Sequence, residues 1–117
     1  MKQGEIVLIN FPFSDRSAEK VRPALVISND EHNARDSDRI FVLITSNAQV
    51  RSKEDLVISP TEPDFLVSGL KVASVFRCSK LLNLDGTKLR AKRIGRIGSA
   101  WVQRIADAIS TVVHPSS

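Results

Sequence analysis

Val21-Arg22-Pro23-Ala24-Leu25-Val26-Ile27-Ser28 is the stretch from which the fold can be read. The polar segment Ser14 to Lys20 precedes it and reads as a loop. Pro23 then opens an apolar run, Ala24 to Ser28, that predicts a strand; proline is tolerated at a strand's first residue. Upstream, Ile6 to Phe11 is apolar except for Asn10 and is closed by Pro12, so it predicts a first strand. Downstream, Asn29 to Asp38 is polar and charged, a loop or a short helical turn. Ile40-Phe41-Val42-Leu43-Ile44 is apolar at every position, the pattern of a central strand buried on both faces. Thr45-Ser46-Asn47 ends it.

The remainder continues as short strands with turn signals between them. Leu56-Val57-Ile58 predicts a brief strand closed by Ser59-Pro60, and Pro60 and Pro63 bracket an irregular stretch. Val72 to Cys78 predicts a further strand. Asn83-Leu84-Asp85-Gly86 carries an Asp-Gly turn signal, and Lys92 to Ile97 predicts a last short strand. From Ser99 the period changes. Trp101, Ile105, Ile109 and Val112 recur at helical spacing, with Gly98 or Ser99 as N-cap and His114-Pro115 as the stop. Trp101 is expected to anchor this helix to the sheet. Many short strands and one amphipathic helix predict a mainly β barrel or strongly bent sheet, with residues 1–117 as one domain.

Composition narrows the function classes. The chain has 117 residues, 42% apolar, enough to bury a core without disulfides. Cys78 is the single cysteine, so no internal disulfide can form and a reducing compartment is expected. In its apolar run it reads as a core residue. No apolar run approaches a membrane span, and Met1 to Glu5 lacks the features of a signal peptide, so a cytoplasmic protein with no membrane partner is expected. Aromatics are only 5%, with no tyrosine, which argues against a broad base-stacking platform.

The net charge is +4, unevenly placed. Arg77, Lys80, Lys88, Arg90, Lys92, Arg93, Arg96 and Arg104 fall in one span whose single acid is Asp85. Such a sector is either a footprint for phosphates or a solvated face. No glycine-rich phosphate loop or metal-spaced histidine pair is present. His32 and His114 are expected to be exposed, and Glu54-Asp55 and Asp36/Asp38 read as solvated loop residues. No metal or other cofactor is expected. What remains is a pair of junctions: an arginine before one strand, Arg22, and a hydroxyl at the end of another, Thr45, which could face one site.

Gly4-Glu5-Ile6-Val7, the Arg22-to-Ser28 block and Ile44-Thr45-Ser46 resemble the MazF/PemK family of toxin endoribonucleases. Arg77-Cys78-Ser79-Lys80-Leu81, Arg93-Ile94-Gly95-Arg96-Ile97 and the terminal amphipathic helix extend the resemblance over nearly the whole chain, in order. It implies a compact SH3-like β-barrel with added helix, usually a homodimer. It implies cleavage of single-stranded RNA without a metal, and a cognate antitoxin, which the basic charge suggests is acidic. It places the family's catalytic arginine at Arg22 and its catalytic Thr or Ser at Thr45. Ser46, Arg77, Lys80 and Lys20 are expected to contact the RNA. Two departures stand out: the loop Asp15-Arg16-Ser17-Ala18-Glu19-Lys20 differs from the family's usual Gly-Ser-Glu-Gln, and Ser79 stands where the family often has Asp. The competing expectations are a non-catalytic toxin of the same fold that binds a protein target such as DNA gyrase, or a degenerate member that only binds RNA.

Overall fold

A computed structural model describes residues 1–10, 21–46 and 49–116. The elements run β1 (Glu5–Asn10), β2 (Val21–Val26), α1 (Asp30–Arg35), β3 (Asp38–Thr45), β4 (Leu56–Ile58), α2 (Phe65–Ser68), β5 (Ser74–Asp85), β6 (Ala91–Arg96) and α3 (Ser99–Val113). The six strands form one antiparallel sheet in the order β4-β5-β3-β2-β1-β6. The fold is the mainly β, SH3-like barrel with a C-terminal amphipathic helix that the sequence predicts.

Successive side chains of a strand point to opposite faces, and here both faces are apolar. Ile6, Leu25, Val42, Ile44 and Phe76 build one core. Their neighbours Val7, Ala24, Val26 and Phe41 build a second, smaller one on the other side. This double burial is why the strand runs read as continuous rather than alternating. The amphipathic helix α3 covers the first core. Trp101 and Ile105 are buried there, and the Trp101 ring lies with its centroid 5.6 Å from that of Phe76. Burying an aromatic of this size contributes roughly 1.5–3 kcal/mol. Val112, expected on the apolar stripe, lies past the core and is exposed.

The sheet has two edges, β4 and β6, and the segment between β4 and β5 spans them. Its helix α2 ends against β6. A Cβ on Gly95 would collide with the Ser68 carbonyl, and one on Gly69 with the backbone of Ile94. Gly69 also adopts φ 73°, the left-handed region that glycine enters without penalty. Just before α2, the Asp64 carboxylate accepts the Gly98 N–H at 2.6 Å, which ties this bridge to the start of α3.

Two expectations are corrected here. The strand expected over Val72 to Cys78 begins at Ser74 and continues to Asp85. Adjacent β3 residues Val42 and Leu43 pair with Leu81 and Arg77, so Cys78-Ser79-Lys80 bulge out of the ladder. The expected Asp-Gly turn forms, with Asp85 Oδ1 accepting the Thr87 N–H at 2.9 Å, and it leads from β5 to β6, which lie near opposite ends of the sheet. His32, expected to be exposed, is half-buried, and its ring nitrogen lies 3.2 Å from the Asp38 carbonyl. Phe11, Pro12 and the loop Ser14 to Lys20 fall outside the described residues. No described helix is long and apolar enough to cross a membrane.

Candidate functional site

The β2–β3 ladder pairs Val26 with Phe41, Leu25 with Val42 and Ala24 with Leu43, and stops there. Two residues further on each strand, the same register sets Arg22 opposite Thr45. Period-2 alternation puts both on the face carrying Ala24 and Leu43. On the other side of β3, Arg77 of β5 pairs with Leu43 and so shares that face. Pro23 stands beyond the β3 ladder, where its missing N–H breaks no bond to β3. The strands therefore part at one end of the sheet, and the gap is a cleft.

This cleft has a volume of about 720 Å³ and is lined by Arg22, Leu43, Thr45, Ser46, Arg51, Ser52, Asp55, Arg77, Ser79 and Lys80. Five residues singled out in the sequence, Arg22, Thr45, Ser46, Arg77 and Lys80, are thus brought to one place. The sixth, Lys20, lies outside the described residues. Arg22 and Thr45 are half-buried, Ser46 and Lys80 exposed. Ser79 and Lys80 reach the cleft because the β5 bulge turns them out of the ladder.

Arg77 is unlike the other cations. Its guanidinium lies 2.6 Å from Asp55 Oδ2 and donates to the Gln49 carbonyl at 2.9 Å. The side chains of Arg77 and Asp55 are only 8% and 2% exposed. Asp55 Oδ2 also accepts the N–H groups of Arg51 at 2.8 Å and Ser52 at 3.2 Å. The reading of Asp55 as solvated surface is therefore corrected: this carboxylate is buried because four donors, the Ser52 hydroxyl included, replace its water. Burial pushes its carboxyl up, but the Arg51 N–H, the Arg77 guanidinium and the Ser52 N–H together hold it below the ordinary value of 3.8.

A depressed carboxyl stabilises the fold above its unfolded-state pKa and loses that contribution as pH falls through the folded value. Asp55→Asn should accordingly cost about 3–5 kcal/mol at neutral pH, since it strands a buried cation. The difference in urea midpoint between wild type and variant should begin to narrow as pH falls below about 4 and keep narrowing as it passes through the folded value. A difference that stays constant down to about pH 3 would show that ionised Asp55 contributes nothing.

Arg22, Arg51 and Lys80 have no carboxylate partner among the described residues. Among the described residues Asp55 is the only acid lining the cleft, and its charge is matched by Arg77, so these residues leave the cleft cationic. The wider basic sector is partly committed elsewhere. Arg93 pairs with Glu5 at 3.1 Å, and Arg104 lies 4.3 Å from the Trp101 ring centroid. Cys78 is buried next to the cleft. Burial, with the Asp55 and Glu54 charges, pushes its thiol up to about 11, so it is protonated and inert at neutral pH. Among the described residues, no three His, Cys, Asp or Glu side chains cluster to hold a metal ion.

No curated protein matches the sequence significantly. The solved structure of MazF from Deinococcus radiodurans aligns with TM-score 0.75 at 18% identity, over 98% of this chain and 97% of that one. An endoribonuclease from a mycobacterial species, solved in complex with its cognate antitoxin, aligns with TM-score 0.73 at 16% identity, over 100% and 99%. The Mycobacterium tuberculosis toxin MazF-mt6 aligns with TM-score 0.70 at 18% identity, over 97% and 99%. At such identities these structures establish the shared fold. The family model for PemK-like, MazF-like toxins of type II toxin-antitoxin systems matches residues 2–113, and with nearly the whole chain covered the protein belongs to that family.

Proposed function

We propose that this toxin is an endoribonuclease that cleaves single-stranded RNA in the cleft between Arg22 and Thr45. The observation that carries this reading is the register: two residues far apart in sequence face each other at the open end of two strands, in a cationic cleft. The 2′-OH attacks the adjacent phosphorus, the bond to the 5′-oxygen breaks, and the products are a 2′,3′-cyclic phosphate and a 5′-OH. Charge builds on the phosphoryl oxygens during attack. Arg22 meets it with a planar fork of donors, and Thr45 supplies a further hydroxyl donor. Ser46 and Lys80, exposed at the rim, hold the flanking strand. Arg77, its charge matched by Asp55, shapes the wall against which the strand lies. DNA is not cut, because it lacks the attacking hydroxyl.

The protein works in the cytoplasm as a homodimer, the assembly that the family resemblance implies, and a cognate antitoxin silences it. The family assignment and the antitoxin complex of the mycobacterial neighbour support that partner. The cationic cleft suits an acidic segment that orders as it binds and stands in for phosphates.

The test is incubation of the purified protein with mixed-sequence single-stranded RNA in EDTA. Cutting should proceed unchanged, leaving cyclic phosphate ends. Loss of cutting that Mg²⁺ or Mn²⁺ restores would overturn the mechanism. No cutting under any condition would favour a toxin that acts by binding alone.

A further inference from the structure

We propose that Arg51 is an RNA-phosphate contact of the cleft, set at its rim by the buried Asp55–Arg77 pair; this rests on the reading of the cleft as an RNA site. A buried ion pair is a poor way to gain stability, since desolvating both charges offsets most of their attraction. What this pair fixes is geometry. Asp55 stands just before β4, and its carboxylate reaches back to the N–H groups of Arg51 and Ser52. Arg77, on β5, grips the same carboxylate and the Gln49 carbonyl. Bonds from both ends thus tie segment 49–55 to the cleft wall.

The consequence falls on Arg51. Its backbone amide is held at 2.8 Å from Asp55, so its Cα is anchored. Its side chain is exposed, lines the cleft, and has no carboxylate partner among the described residues. The Arg51 and Ser52 amides are already used by Asp55, and Lys53, the segment's other cation, is not among the residues lining the cleft, which leaves the Arg51 guanidinium as the charged donor this segment offers to a ligand there. A planar fork on a fixed base suits a phosphate. Asp55 and Arg77 act through it as positioning residues.

The probe is a short, mixed-sequence 2′-O-methyl single strand, which can bind but lacks the attacking hydroxyl. With Arg51→Ala, affinity should fall about tenfold, the usual worth of a hydrogen bond to a charged group. The slope of log affinity against log salt should flatten by about 0.7, one single-strand phosphate contact. Asp55→Asn should lose a similar amount, and adding Arg51→Ala to it should cost less than about twofold more. Thermal melts accompany each variant. If Asp55→Asn does not fold, Arg77→Lys replaces it in the cycle, since a lysine keeps the charge without the fork. Unchanged affinity and slope in Arg51→Ala overturn the proposal, and additive losses overturn the positioning role. Failure of the wild type to bind the strand or to cut RNA removes the RNA reading itself, a result separable from either.

Discussion

Arg22→Ala should abolish RNA cleavage while the protein stays folded. Arg22 is half-buried near the start of β2, paired with Ile9 of β1 but two residues past the last pair with β3, and belongs to neither apolar core. Truncating it leaves both cores intact and removes only packing of its stem, so a stability cost of no more than about 1 kcal/mol is expected. Its loss in the reaction is of another order. One neutral donor to a developing oxyanion is worth about 10²–10³ in rate. A guanidinium adds full charge and a second bond, so a loss exceeding about 10³ is expected. Arg22→Lys should recover little, because an ammonium lacks the fork. Initial rates on a fluorogenic RNA, with a thermal melt of each variant, check this. A near-wild-type rate for Arg22→Ala would remove it from the catalytic role.

The sequence exposes this residue for a simple reason. β1, β2 and β3 are internal to the sheet and covered on both faces, so they read as unbroken apolar runs, and Thr45-Ser46 marks the end of β3, whereas Pro23 falls inside β2, two residues after its start. The helix α3 shows itself by period, through Trp101 and Ile105. Residues at such junctions stand out against the core pattern. The stretch Cys78 to Lys80 is harder, because its bulge breaks the ladder and turns Ser79 and Lys80 outward in mid-strand. Nothing local announces that β5 resumes with Leu81. The four-residue helix α2 is likewise too short to show a period.

The floor of the cleft was the least legible part. Glu54-Asp55 looks like ordinary loop charge, and only the pairing of β4 with β5 brings Asp55 to Arg77 across 22 positions of sequence. The two charges are deeply buried because each completes the other, a property of the pair that neither residue shows alone. The same holds for Arg22 and Thr45. Their residue types could be noticed and the family resemblance could name them, but their opposition follows from the Ala24–Leu43 register. Charge counting misled in the other direction. Of the basic residues between Arg77 and Arg104, Arg77 lies inside, Arg93 holds Glu5 and Arg104 covers Trp101. From that span only Lys80, on the β5 bulge, joins Arg77 in lining the cleft, and the other cations there come from β2 and from the segment before β4.

Thr45→Ala should slow cleavage by about 10²–10³-fold, the cost of one lost donor in the transition state. Thr45 is the last residue of β3, held on one side by its pairing with Val75, so its hydroxyl is carried by a rigid strand rather than a loop. Thr45→Ser keeps the donor and should retain most activity, whereas Thr45→Val keeps the shape and should fail like alanine. That contrast separates a hydrogen-bonding role from packing. A second comparison uses the opposition across the strands. If Arg22 and Thr45 stabilise the same phosphoryl oxygens, their effects are not independent, and Arg22→Ala/Thr45→Ala should be barely slower than Arg22→Ala alone. Independent action predicts multiplied losses. Single-turnover rates on one RNA for the four proteins of this cycle decide between them. A negligible effect of Thr45→Ala would reduce it to a sheet residue, with Ser46, next along the chain and exposed on the same cleft, as the donor to test in its place.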